Sequence, residues 1–185
     1  MVLQNFPSRS LHDLGLAAWF GGTLANAVSL NRAAGETDRY STAGRVTNAG
    51  WDAWTPVNAA AIAAHLVGAV GQLAGNRDRL AGQKGVAAMS AIKTVLTAAA
   101  LGVTAYSRVL GRKLSEQSDV PVESGTEPAA TTPTEVADAQ RQLKALQWAV
   151  PALTGALVVV TAYAGEQQRP TAVKEGVLQR LNPLS

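Results

Sequence analysis

Four residues stand out because each lies in or beside a stretch that is otherwise free of charge. They are His12 and Asp13 before an 18-residue uncharged run, His65 inside a run of 24 uncharged residues, and Lys93 as the single charge of a third apolar segment. Imidazole carries protons and binds metals near neutral pH, and a charged group within an apolar segment marks a site or path for ions or protons. These residues are therefore the candidates for chemistry.

Asp13 and Lys93 are predicted to lie in the same half of a helical bundle. Counted from the surface on the side of the two termini, Lys93 lies about 12 Å deep and Asp13 about 5 Å deep. A lysine side chain leans toward the N-terminus of its helix, so Lys93 could reach Asp13 and form an ion or proton site with His65. The favoured alternative is structural: Lys93 extends to the lipid headgroups and Asp13 caps the first helix.

Two histidines on neighbouring helices are also the ligand set of a b-type haem. Both imidazoles must then lie at one depth, whereas an antiparallel arrangement places His12 at the membrane edge and His65 about 15 Å below it. Haem b is kept only as an alternative, in which the first helix shifts inward to bind haem through His12 and His65. Copper is disfavoured because the chain has no cysteine and only two methionines. No metal site is expected.

Four apolar segments carry these residues, and each is long enough to cross a bilayer. They cover about 10–30, 52–75, 85–107 and 145–165, and about 20 residues of helix span the hydrocarbon. A helix of a soluble bundle needs a polar stripe facing water, which the second and fourth segments lack. We therefore predict one all-α domain, a polytopic four-transmembrane-helix bundle in the inner or plasma membrane.

The remaining segments are predicted to lie outside the membrane. The loop at about 114–140 is rich in Ser, Thr, Pro and acidic residues, with little to bury, and is predicted to be disordered. The tail, 166–185, combines apolar and basic residues typical of a short interfacial helix. The basic residues divide almost evenly between the two sides, and the cluster in the short loop at 76–84 favours cytoplasmic termini.

Small residues give each predicted helix a face that allows close packing. The glycines predicted to serve helix packing are Gly21, Gly22, Gly68, Gly71, Gly75 and Gly155. Such faces serve contacts within one bundle or contacts with a partner helix.

The first predicted helix also carries a resemblance to a known family. Its early histidine, His12, is followed by Trp19-Phe20-Gly21-Gly22, which resembles a helix of CopD-type copper resistance membrane domains. The layout of four alanine-rich spans resembles uncharacterised actinobacterial membrane proteins. The resemblance covers about 20 residues of the 185. It implies a membrane topology and, for His12 alone, a position that is a candidate metal or haem ligand in that family.

Composition narrows the remaining classes of function. Without cysteine the chain has no thiol nucleophile or disulfide, and it contains no phosphate-binding or dinucleotide-binding glycine motif. Basic residues lie at the edges of apolar runs, which predicts contact with lipid headgroups and no nucleic-acid partner. No nucleophile, base and acid converge, so an enzyme is not expected.

Two hypotheses of function follow. The first is a non-catalytic accessory or structural subunit of a membrane complex, in contact with lipids and with other membrane subunits. The alternative is a haem-, metal- or proton-handling membrane protein that uses His12, His65, Asp13 and Lys93.

Overall fold

The computed structural model of the chain describes residues 5–36, 40–117, 119–166, 169 and 173–174. The helices are α1 (Phe6–Ala25), α2 (Asn31–Gly35), α3 (Tyr40–Gly75), α4 (Arg77–Gly82), α5 (Val86–Ser115) and α6 (Thr134–Glu166), with a π-helical turn at Asn26–Leu30 between α1 and α2. Over the described ranges, the only strand-like feature is an isolated bridge between Val122 and Pro128. The predicted all-α class is confirmed.

Three helical segments are long and apolar enough to cross a membrane: Thr42–Gly75, Val86–Ser115 and Thr134–Glu166. Their apolar side chains are largely uncovered, since only 6% of the most apolar window of α5 is buried. A surface of this kind is costly in water and normal in lipid. These helices indicate a membrane protein, but the predicted count of four spans is not confirmed.

Helix α1 is not among these three segments, and its opening turns carry two charged residues and a histidine. Arg9, His12 and Asp13 all lie within the first eight residues of α1. The charge and the glycines of α1 lower its hydropathy, although the helix is 20 residues long.

The long helices lie side by side in the order α3, α1, α6, α5. Helix α1 has its most extensive contact with α3 and a second one with α6, and α6 packs along α5. Helices α3 and α5 make only a limited contact, so the bundle is open between them. Four buried residues form its centre, one from each helix: Trp19, Ala61, Ala100 and Val150.

Glycine allows α1 and α3 to approach backbone to backbone. A Cβ on Gly68 would overlap the backbone of His12, and a Cβ on Gly15 would overlap the backbone of His65. Of the predicted packing glycines, Gly22, Gly68, Gly71, Gly75 and Gly155 face side chains or backbone of a neighbouring segment, whereas Gly21 faces open space.

The region predicted as a disordered loop at 114–140 is compact in the structure. Helix α6 begins at Thr134, and Val122 packs with Ala43 and Val136 in a second buried cluster. The structure differs from the prediction because α3, α5 and α6 extend beyond the predicted spans and offer this short segment a surface to cover. Most of the predicted tail at 166–185 lies outside the described residues.

We predict that Gly15→Ala and Gly68→Ala destabilise the bundle, because a methyl group at either position overlaps backbone that cannot move alone. The expected loss is about 1–3 kcal/mol of unfolding free energy, measured by denaturant titration in detergent micelles. Gly21→Ala is the matched control, since its Cβ would meet nothing within 4 Å. Equal stability of all three variants would contradict the close α1–α3 contact.

Candidate functional site

The structure brings His12 and His65 into direct contact inside the bundle. Their rings are 1% and 0% exposed, and the ring centroids lie 4.3 Å apart with the planes tilted by 43°. The predicted difference in depth between them was wrong. Helix α1 begins at Phe6, four residues before the predicted start, which moves His12 about 6 Å further in.

Hydrogen bonds fix which nitrogen of His65 carries a hydrogen. His65 Nδ1 lies 3.3 Å from the carbonyl oxygen of His12, and a carbonyl only accepts, so Nδ1 is the donor. In the neutral ring Nε2 is then the acceptor, and it lies 3.3 Å from the hydroxyl oxygen of Thr97 on α5. The Thr97 hydroxyl therefore donates to His65.

The same reasoning applies to His12 and its neighbour Asp13. His12 Nδ1 lies 2.8 Å from a carboxylate oxygen of Asp13, and an ionised carboxylate only accepts. The hydrogen therefore lies on Nδ1, and Nε2 of the neutral ring has a free lone pair. Asp13 is 45% exposed and its other oxygen lies 3.7 Å from Arg9. A series of polar contacts thus runs from Arg9 at the bundle surface through Asp13 to His12 in the interior.

Lys93 does not complete the predicted pair with Asp13. Asp13 is engaged by Arg9 and His12, and within the described part of the chain no carboxylate forms an ion pair with Lys93. Lys93 is half-buried and lines the same cavity as His12. The structure therefore places three of the four candidates, Asp13, His12 and His65, in one connected group and Lys93 beside it.

The cavity beside this group lies between α3 and α5, in the half of the bundle where α1 begins. We call it the terminal-side cleft; its volume is about 520 Å³, and its polar lining includes His12, Gln72, Arg79, Lys93 and Thr97. Most of the rest of its wall is apolar. The side-chain nitrogen of Gln72 is buried and has no hydrogen-bond acceptor among the described residues.

A second cavity of about 320 Å³ occupies the other half of the bundle. It is lined by Trp51, Trp54, Asn58, Thr104 and Arg108 among others. Arg108 forms an ion pair with Asp52 of α3 at 2.8 Å. Leu101 lines both cavities. The apolar centre of the bundle therefore separates them.

The arrangement of the two histidines does not fit a haem. Two imidazoles that share one iron have ring centroids roughly 6 Å apart with the macrocycle between them, whereas these rings touch at 4.3 Å. Within the described ranges, no three His, Asp or Glu side chains are grouped so as to hold a metal ion.

Comparison of the chain with protein-family models, curated proteins and solved structures finds no match. The similarity to CopD-type domains, and the metal role that it implies for His12, stay predictions.

Sequence reasoning does not single out Thr97 as a partner of the histidines. Thr94 lies one turn earlier on α5 and is exposed, with its hydroxyl bonded to the Ser90 carbonyl at 2.9 Å. Both threonines stand in the same apolar run, and only the orientation of α5 in the bundle distinguishes them. The four-residue spacing between Lys93 and Thr97 predicts that both lie on one face of the helix, but it does not identify His65 as the partner of Thr97.

We predict that the α1–α3 register can be trapped by a disulfide between Ser8→Cys and Gly71→Cys in this cysteine-free chain. A Cβ on Gly71 would lie 2.8 Å from Ser8 Cβ, about 1 Å closer than in a relaxed disulfide, so a small outward shift suffices. The cross-link is read from reducing and non-reducing gels after mild oxidation.

The control pair is Leu14→Cys with Gly71→Cys, which the sequence-based depths place at one level. Leu14 is 70% exposed on the outside of the bundle, so no cross-link is expected. Cross-linking of the control pair alone would show that α1 is shifted and that the histidines do not meet.

Proposed function

We propose that this membrane protein takes up and passes protons at the His12–His65 pair. The observation that carries the proposal is the direct contact of two fully buried imidazoles on different helices. Polar side chains at membrane depth are costly and mark ion or proton paths. Imidazole is also the side chain whose ordinary proton affinity suits exchange near neutral pH.

The hydrogen-bond pattern supports proton binding at each ring, and the contact between the rings supports exchange between them. In the neutral state both rings carry their hydrogen on Nδ1, so an added proton is received at Nε2. Asp13, half-exposed and paired with Arg9, links His12 to the surface, and Thr97 continues the chain from His65 to α5. The terminal-side cleft gives water a polar approach to His12 and Thr97.

Access to the pair is one-sided in this conformation. Trp19 stands edge-on to His65 with ring centroids 6.1 Å apart, and it belongs to the central apolar cluster. Protons are therefore taken up from the terminal-side cleft, and passage to the other half requires movement of the centre. Reversible proton binding needs no such movement.

A second candidate function is that of an accessory subunit of a membrane complex. It is supported by small residues that face no neighbouring helix of the bundle. A Cβ on Gly21 or on Gly102 would meet nothing within 4 Å, and Ala98 and Ala105 are exposed on the same helix as Gly102. Small residues on a lipid-facing surface permit close approach of another helix. Partner subunits and lipids are the contacts that this candidate requires.

We also propose that α1 is a fourth span and that the protein lies in the plasma membrane with cytoplasmic termini. Support for the span comes from the α1–α3 contact, which extends from Asn5 beside Gly75 to Leu30 beside Gly50. Helix α1 and the segment after it thus accompany α3 through much of its depth. The basic cluster at 76–84 supports the orientation.

We predict that His65→Gln lowers proton flux into liposomes by roughly tenfold or more, because the amide cannot carry the proton. Flux is measured with a pH dye inside vesicles under a potassium diffusion potential. Thr97→Val is expected to lower it several-fold, because the valine cannot donate to His65. Thr94→Val is the matched control, with an unchanged rate. Equal flux in all variants and in empty vesicles would refute the relay.

We predict that the protein migrates above its monomer mass in mild detergent and that Gly102→Leu returns it to monomer mass. The leucine fills open space, so it blocks a partner helix without disturbing the bundle. Gly82→Leu is the control, because that position is equally open but lies on α4 outside the three apolar spans. Monomeric migration of the unmodified protein would contradict the accessory role.

A further inference from the structure

We propose that the terminal-side cleft holds one anionic phospholipid, with its phosphate near Lys93 and Arg79 and an acyl chain along the apolar wall between α3 and α5. The inference goes beyond proton handling and does not rest on it, because lipid retention is measured without any proton transfer.

The positive charge of Lys93 supports an anionic ligand in the cleft. This ammonium group lies about two turns inside α5, and no carboxylate of the described chain forms an ion pair with it. A cation at this depth is costly unless an anion accompanies it. Asp13, the acidic side chain predicted for this role, already binds Arg9 and His12. Asp13 acts on Lys93 only from beyond ion-pair distance, so a position beside the ammonium group remains for an anion from outside the chain.

A second cation, Arg79, lies at the edge of the same cleft. Arg79 lies on α4, in the connection between α3 and α5, and lines the cleft together with Lys93. Its side chain donates to Gln83 at 3.1 Å and to Asn76 at 3.2 Å, which holds the guanidinium in place. Two cations and the amides of Gln72 and Asn76 therefore line one cavity. Basic pockets between membrane helices recognise anionic headgroups.

The apolar wall of the cleft favours a lipid over a free phosphate. Leu66, Val70 and Leu73 of α3 line the cleft and are also exposed on the outer surface. Val86 and Met89 of α5 line the opposite side. The cleft is therefore continuous with the lipid-facing surface, so an acyl chain can enter from the bilayer. Its volume of about 520 Å³ falls within the usual range of small-molecule sites, about 300–1,000 Å³.

The charge also selects among phospholipids. A zwitterionic headgroup would bring its own ammonium toward Lys93 and Arg79, whereas a phosphatidylglycerol headgroup brings only the phosphate charge. Each basic side chain near an anionic lipid contributes about 1 kcal/mol. Loss of one such contact corresponds to about a fivefold change in occupancy.

The test is native mass spectrometry of the full chain in mixed micelles that contain equal amounts of phosphatidylglycerol and phosphatidylcholine. One bound phosphatidylglycerol per chain is expected, and Lys93→Gln should lower its occupancy relative to phosphatidylcholine about fivefold. Lys93→Arg keeps the charge and should keep the lipid. Lys84→Gln is the matched control, because Lys84 is an exposed lysine on the same side that does not line the cleft.

The proposal fails if the unmodified protein binds both lipids equally or if Lys84→Gln lowers occupancy as much as Lys93→Gln. It also fails if inorganic phosphate displaces the lipid completely, which would make the cleft a simple anion site. Melting temperatures of the three variants, measured in the same detergent, show that each is folded. Retention of phosphatidylglycerol by Lys93→Arg together with its loss from Lys93→Gln supports the site.

Discussion

The backbone contact between α1 and α3 is the constraint on which the rest of the structure depends. It is reciprocal: Gly68 of α3 lies against the backbone of His12, and Gly15 of α1 lies against the backbone of His65. Each histidine is thus accommodated by a glycine of the partner helix. Any side chain at those positions would separate the helices, and the two rings would no longer share one interior space. In a membrane, where close packing and interhelical hydrogen bonds drive helix association, glycine at this contact determines where the polar groups meet.

The same contact explains why the bundle is open on its other side. Helix α1 lies between α3 and α6, and Trp19 fills the centre together with three small or branched residues. Helices α3 and α5 make only a limited contact, and a cavity remains in each half of the bundle. The two cavities differ in their polar residues. The terminal-side cleft is lined by His12 and Lys93, whereas the arginine of the other cavity, Arg108, is paired with Asp52.

The sequence predicted the helical class and three helices able to span a membrane, because a nearly charge-free run of about 20 residues is what a membrane span requires. It did not predict how deep His12 lies in the bundle. The polar residues at the start of α1 do not indicate that the helix already begins at Phe6. The error of four residues, about 6 Å of helix, accounts for part of the predicted separation of His12 from His65. Nor did it predict the compact segment before α6. That segment buries Val122 against Ala43 and Val136, which stand on helices that extend beyond the predicted spans. The composition of the segment does not reveal such a neighbour.

The charge of Lys93 bears on both proton binding at the histidines and lipid binding in the cleft. An added proton on His12 or His65 places a second positive charge beside the ammonium group that lines the same cleft. In a medium of low dielectric constant this repulsion is strong, and among the described residues Asp13 is the one carboxylate in contact with His12 that opposes it. A phosphate held between Lys93 and Arg79 would offset the ammonium group and lower the electrostatic cost of holding the proton. Lipid composition would then act on proton uptake through charge alone, without any change in the contact between α1 and α3.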